Sequence, residues 1–210
     1  MTISATTQGL RMGVATSTSR PTVPFDGQVI SETDTDSLVV YKGSAWAPVS
    51  ALTLITAQTI GTAVSSVTVS SAFSATYDNY QITIAGGVAS TAVNLGLQLG
   101  STTTGYYAGY PRVTYSSGAS NNSADNNAAL WSRAGVGSSN SLAANFYLLS
   151  PNLAKNTVFQ TWYNDLDTTS VGGTGSGFAN NTTQFTAFTI IPNTGTLTGG
   201  TIRVYGYSNS

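Results

Sequence analysis

Residues 93–99 read Val-Asn-Leu-Gly-Leu-Gln-Leu, with Val93, Leu95, Leu97 and Leu99 at alternate positions and Asn94, Gly96 and Gln98 between them. Only an extended strand gathers those four apolar side chains on one face, because its side-chain period is two, whereas a helical period of 3.6 scatters them. Other short β-branched or aromatic runs bounded by turn residues recur at Ser65 to Ser70, Tyr80 to Ala85, Arg112 to Tyr115, Ala128 to Arg133, Ala144 to Leu149, Thr157 to Tyr163, Phe185 to Ile191 and Gly200 to Tyr207. No segment sustains a helical period. The pattern predicts an all-β chain, with about eight antiparallel strands after residue 52 closing a sandwich or barrel.

The segment before residue 52 has a different organisation. Gln28 to Glu32 alternates polar and apolar, Asp34 to Ser37 is turn chemistry, Leu38 to Tyr41 is β-branched and aromatic, and Lys42-Gly43-Ser44 turns back toward Trp46. That is a small β-meander. Pro48-Val49-Ser50-Ala51-Leu52 closes it, so the expected division is residues 1–52 as an arm and meander and residues 53–210 as the sandwich. The arm from Met1 to Phe25 is polar, carries Pro21 and Pro24, and is too poor in apolar residues to fold alone, so it is expected to order only against a partner.

Composition removes whole classes of chemistry. The chain has no His and no Cys, which excludes a Ser-His-Asp or Cys-His nucleophilic site in its usual form, an imidazole or thiolate metal site, and disulfides. Charged residues are 7 % of the chain, against about 25 % in an average protein. About 60 residues are Ser or Thr, so neutral hydroxyls must cover much of the surface. With a net charge of −1 and scattered Arg and Lys, no basic stripe exists for nucleic acid. The first residues lack a cationic, apolar signal sequence and no apolar run is long enough to cross a bilayer, so the expectation is synthesis in a cytoplasm without membrane association.

Three segments resemble bacteriophage virion proteins. The series Arg20-Pro21, Gly27-Gln28, Glu32-Thr33-Asp34-Thr35 and Val40-Tyr41-Lys42-Gly43-Ser44-Ala45-Trp46 resembles a module of tail-fibre and other virion structural proteins. Phe73 to Ile84 carries a Phe-x-x-x-Tyr-Asp-x-Tyr-x-Ile pattern similar to that of phage jelly-roll domains, and Gly199 to Tyr207 resembles the strand that closes those domains. The resemblance implies an N-terminal β-meander or extended arm followed by an antiparallel jelly-roll β-sandwich, assembled as a homotrimer within a virion. It places Arg11, Arg20, Pro21, Pro24 and Phe25 in docking to other virion components, tail, baseplate or major capsid protein.

Candidate site residues are few. Tyr106, Tyr107 and Tyr110 follow a turn, and aromatic faces stack on sugar rings while Asn, Asp and Ser bond their hydroxyls, so these three are the glycan- or partner-binding candidates. Trp131, Trp162 and Tyr163 fall on predicted strands and are read as core or subunit interface. Asp34 and Asp36, and Asp165 and Asp167, each place two carboxylates on one face of a strand about 7 Å apart. That spacing reaches glycosidase range, but Asp beside Thr, Asn and Ser is ordinarily turn chemistry. Neither pair continues into a calcium loop, so no metal and no cofactor is assigned. Ser116 to Asn127 and Asp165 to Asn181 read as long loops, and Gly172 to Gly177 as a flexible one.

The resulting expectation is a non-enzymatic phage virion structural protein. It is either a short tail-fibre or appendage protein contributing to host-surface glycan recognition, or a capsid decoration protein clamped to the head by its arm. A polysaccharide depolymerase using Asp165 and Asp167 is the enzymatic alternative.

Overall fold

The computed structural model describes residues 12–164 and 171–209, and the candidates Arg11, Asp165 and Asp167 lie outside them. Among the described residues there are sixteen strands and no helix. The chain divides into two compact units, residues 1–53 and 54–210.

The first unit is one four-stranded sheet, ordered β1 (Gly13–Ala15), β2 (Val29–Glu32), β3 (Ser37–Lys42), β4 (Ala45–Pro48). β2, β3 and β4 form the expected antiparallel meander. β1 adds to it in parallel, Val14 opposite Ser31. The arm is therefore not wholly dependent on a partner for order: residues 13–15 satisfy their backbone on β2, and the Ser17 backbone and hydroxyl both donate to Asp34. This unit buries little apolar volume, chiefly Ile30 and Val39. In its interior Glu32, 2 % exposed, accepts from the Arg20 guanidinium and from the Thr35 hydroxyl at 3.0 Å. Arg20, a docking candidate from the sequence, is thus engaged inside its own unit.

The second unit holds β5 (Leu52–Thr59), β6 (Val67–Val69), β7 (Asn79–Ala89), β8 (Val93–Leu99), β9 (Tyr106–Thr114), β10 (Ser120–Ala128), β11 (Trp131–Gly137), β12 (Leu142–Leu149), β13 (Thr157–Asn164), β14 (Val171–Ala179), β15 (Phe188–Pro192) and β16 (Leu197–Tyr207). One layer runs β5-β16-β7-β12-β13-β14-β9-β10 and the other β11-β8-β15-β6. β12 serves both layers. On one edge it pairs with β7, while on the other its first residues pair with β11 and its later ones, Asn145 to Leu149, with β13. The layers are antiparallel and form a sandwich with twelve strands, where the sequence suggested about eight.

The core lies between the layers. Trp131 of β11 stacks on Phe159 of β13 with ring centroids 4.6 Å apart, and Phe146 of β12 meets Phe188 of β15 edge-on at 6.3 Å. The alternation on β8 works as expected, with Leu95, Leu97 and Leu99 fully buried. The Phe73 to Ile84 segment explains itself in the same terms. Phe73 packs on Tyr80 and Phe188, and the Tyr80 hydroxyl donates to the Ser74 carbonyl while accepting from the Ser74 amide, which ties the strand to the turn before it.

Two predicted loops are strands. β10 is a polar edge strand, Ser-Asn-Asn-Ser-Ala-Asp-Asn-Asn-Ala, whose composition gives no β signal because most of its side chains face solvent. β14 contains Gly172, Gly173, Gly175 and Gly177, yet it is paired along both edges, with β13 and β9. A Cβ on Gly175 would come within 2.6 Å of the Tyr110 ring and 2.8 Å of the Thr161 methyl. The glycine leaves room for its neighbour's aromatic ring, so the run is held by β9 and β13 and is not a flexible loop.

Candidate functional site: an aromatic and amide face on the larger layer

Strand alternation sends every second residue of the larger layer away from the core. Across six neighbouring strands the register aligns these outward residues into continuous rows. The central row is Tyr205, Gln81, Tyr147, Gln160, Ser176 and Gly109, each opposite the next on β16, β7, β12, β13, β14 and β9. Aromatic and amide side chains alternate along its first four positions. On one side lies Arg203, Thr83, Asn145, Trp162 and Thr174, and on the other Asn79, Leu149, Val158, Phe178 and Tyr107.

The rings are ordered by one another. Tyr147 meets Trp162 edge-on at 5.5 Å and lies 6.4 Å from Tyr207. Partial burial, reinforced by Tyr147, raises the Tyr207 phenol above its ordinary value, so it remains a neutral donor at physiological pH. Farther along, Tyr107 stacks on Phe178 at 5.2 Å with a 14° interplanar angle. The amides are ordered too, since Gln81 donates to Asn145 at 3.0 Å. Gln160 and Asn79 make no side-chain hydrogen bond to the described residues and are available to a ligand.

Three shallow depressions follow this face. The first, about 400 Å³, is lined by Asn79, Tyr147, Leu149, Gln160, Trp162 and Tyr207. The second, about 170 Å³, shares Tyr147, Gln160 and Trp162 with it and extends over Thr174 and Ser176. The third, about 300 Å³, continues from Ser176 to Tyr107 and Phe178 and is bordered by Asp125 of β10, whose carboxylate accepts from the Tyr110 hydroxyl and the Ser132 amide. Trp162 is 54 % exposed and Phe178 40 % exposed. Arg203 is the one charged side chain among the described outward positions of these six strands, and no carboxylate is among them. Such a surface can stack flat rings and exchange hydrogen bonds with hydroxyls.

The sequence candidates distribute unevenly on it. Tyr107 is on the face. Tyr106 and Tyr110 are not exposed as expected: they occupy the inward phase of β9 and are buried in the core. The Tyr106 hydroxyl accepts from the Leu99 amide at 2.7 Å, its ring packs edge-on to Trp131, and burial pushes its phenol up to about 12. The Tyr110 hydroxyl donates to Asp125 at 2.6 Å, and burial followed by that carboxylate raises its phenol further. Trp131 is core as expected, whereas Trp162 faces outward. Asp34 accepts from Ser17, and Asp36 takes a left-handed backbone at φ 48°, so this pair serves turn and arm structure. Among the described residues no three His, Cys, Asp or Glu side chains converge as a metal group.

Sequence reasoning missed Tyr147, Trp162, Gln160, Phe178 and Tyr207 as site residues. A usable signal was present: on β12 and β13 the aromatic is in phase with an amide, Tyr147 with Asn145 and Trp162 with Gln160, and out of phase with the core residues Phe146 and Phe159. No protein-family model, curated protein or solved structure matches the chain.

Proposed function

We propose that this chain is a structural protein of a bacteriophage virion, of the short tail-fibre or appendage kind, whose sandwich contributes to host-surface recognition by binding glycan. The virion assignment rests on the N-terminal and Phe73 to Ile84 resemblances. The recognition role rests on one observation, the continuous aromatic and amide face centred on Tyr147, Gln160 and Trp162. Aromatic surface left wet in a continuous row costs free energy, and a partner that stacks on it while bonding Gln160 and Asn79 accounts for both residue types.

In this reading the first unit attaches the protein to the particle. Its segment from Pro21 to Phe25 exposes Val23 at 91 % and Phe25 at 68 %, with Pro21 and Pro24 half-buried beside them. Two prolines restrict the backbone of that segment, so docking it costs less entropy than docking a free chain. A homotrimer is part of the proposal.

Immunogold electron microscopy of intact particles with antibody against the recombinant chain tests the assignment. Label on tail fibres is the expected result. Label spread evenly over the head would replace it with capsid decoration, and unlabelled particles would remove the virion assignment altogether. Light scattering of the purified chain tests the trimer, which a monomer at micromolar concentration would overturn.

A further inference from the structure

We infer, resting on the recognition reading above, that the ligand is an uncharged, linear polysaccharide that lies across the strands and contacts two aromatic subsites at once. The first subsite is Tyr147 with Trp162, and the second is Tyr107 with Phe178.

Charge selects the chemical class. An acidic polymer laid along the central row would meet Arg203 alone, beside one end, and would run toward the Asp125 carboxylate at the third depression, while a basic polymer would meet only that one carboxylate, which already accepts from the Tyr110 hydroxyl and the Ser132 amide. Specific binding of a polyanion ordinarily uses several cations, each adding affinity that salt then screens. This face offers aromatic surface, amides and hydroxyls instead, the groups that recognise neutral sugars.

Length and direction follow from the register. The row crosses six strands, and with about 4.8 Å between neighbours its ends are about 24 Å apart. The two subsites within it are nearer, about two strand spacings apart across the sheet and on opposite sides of the central row, a separation of roughly 14 Å that still exceeds one sugar ring. The floor between the subsites is low, because Ser176 and Gly109 are small and a Cβ on Gly109 would meet nothing within 4 Å. The depressions share Ser176, so the path from Trp162 to Phe178 is continuous. A chain of rings running obliquely over β12, β13, β14 and β9 stacks on both subsites and passes over Ser176 between them.

The rings at each subsite are held before any ligand arrives, Tyr147 against Trp162 and Tyr107 flat on Phe178. Little side-chain entropy is then lost on binding. A second copy of the chain is the poorer occupant. An interface core excludes water and leaves unpaired amides costly, and here Gln160 and Asn79 stand among the aromatics without partners among the described residues.

The test uses the full chain on a printed array of bacterial polysaccharides, neutral and acidic. It is followed by fluorescence titration with fragments of two and six sugars from the best neutral binder. Neutral polysaccharides should bind, the longer fragment roughly tenfold or more tighter than the shorter, with little change in affinity between about 0.05 and about 0.5 M salt. Trp162→Ala and Tyr147→Ala should each lose roughly tenfold or more on both fragments, Trp162→Phe should retain most binding, and Phe178→Ala should weaken only the longer fragment. Circular dichroism showing native structure in each variant separates a lost site from a lost fold. Preference for acidic polysaccharides, equal affinity for both fragments, or unchanged binding by Trp162→Ala and Tyr147→Ala would overturn this inference and leave recognition standing. Binding to nothing on the array would overturn recognition itself. A smaller oligomer for Trp162→Ala by light scattering would assign the face to a second copy and overturn the inference.

Discussion

The two units solve the same problem, burying one side of a sheet, with opposite means. The larger one fills the space between two layers with apolar and aromatic side chains, Trp131, Phe146, Phe159 and Phe188 at their centre. The smaller one has a single layer, two well-buried aliphatic residues, and a buried carboxylate held by Arg20 and Thr35. A unit whose described residues bury only two aliphatic side chains cannot gain much from the hydrophobic effect, because that gain scales with the apolar area removed from water. Directional contacts have to make up the difference. The first unit should therefore respond to changes in charge and pH, and the second to changes in volume.

The largest effect should come from Trp131→Ala. It removes a ring that touches Phe159 and Tyr106 and leaves a cavity between layers that cannot close without moving β11. A loss of about 3–5 kcal/mol is expected, read as a fall in the urea midpoint. The nuclear magnetic resonance signals of residues 12–53 should stay in place. Their disappearance together with the sandwich would break the comparison, since the units would then be one cooperative structure.

Next in size is Glu32→Gln. An amide in place of the carboxylate keeps the shape and loses the charge that the Arg20 guanidinium faces, and a loss of about 2 kcal/mol in the first unit is expected. The pH response follows the same logic. The Arg20 hydrogen bond, with Thr35, holds the Glu32 carboxyl below its ordinary value of 4.5, and the Ser17 hydroxyl and amide hold Asp34 below 3.8. A carboxyl whose folded value is depressed contributes stability that is present above its unfolded value and is lost as pH falls through the folded one. Acid titration should therefore broaden the signals of residues 12–53 progressively below about pH 4.5, and Glu32→Gln should flatten that response. An identical acid profile in the variant would show that the ion pair is not what holds the unit.

The same contrast decides what could be read from the sequence. The inward phase on β8 was legible because Val93, Leu95, Leu97 and Leu99 alternate with Asn94, Gly96 and Gln98, and the meander was legible from its turns. β14 was not, since its glycines are held in strand conformation by pairing with β9 and β13, segments distant in the chain, Gly175 against Tyr110 and Thr161 among them. β10 was missed because an edge strand with a polar surface carries no hydrophobic pattern. The site failed in a related way. Tyr106 and Tyr107 are adjacent, and only the register of β9 against β14 tells that Tyr107 looks outward at Phe178 while Tyr106 looks inward at Trp131. A one-residue change of phase exchanges core for surface, so a cluster of tyrosines read without phase could not yield the site.

Gly175→Ala sharpens the account of β14. The new methyl would press on the Tyr110 ring and the Thr161 methyl from within the sandwich, and about 1–3 kcal/mol of destabilisation is expected from overpacking. Gly109→Ala, on the outward phase of the adjacent strand with nothing within 4 Å of its Cβ, should leave the urea midpoint almost unchanged. Equal costs at the two positions would mean that the glycines serve backbone conformation and not the packing of Tyr110.

Among the side-chain truncations the smallest effect on stability is expected of Trp162→Ala, and it is the most instructive beside Trp131→Ala. Both tryptophans sit on strands of one sandwich, one wholly buried and the other more than half exposed. Trp162 gives up an edge contact with Tyr147 and some partly covered surface, worth about 1 kcal/mol or less. If the two truncations shift the urea midpoint by similar amounts, the outer face is a second structural core and its rings are there for packing. If the shift for Trp162→Ala is small while its glycan binding is lost, the fold does not require the exposed ring. Its place in phase with Gln160 is then explained by what it binds.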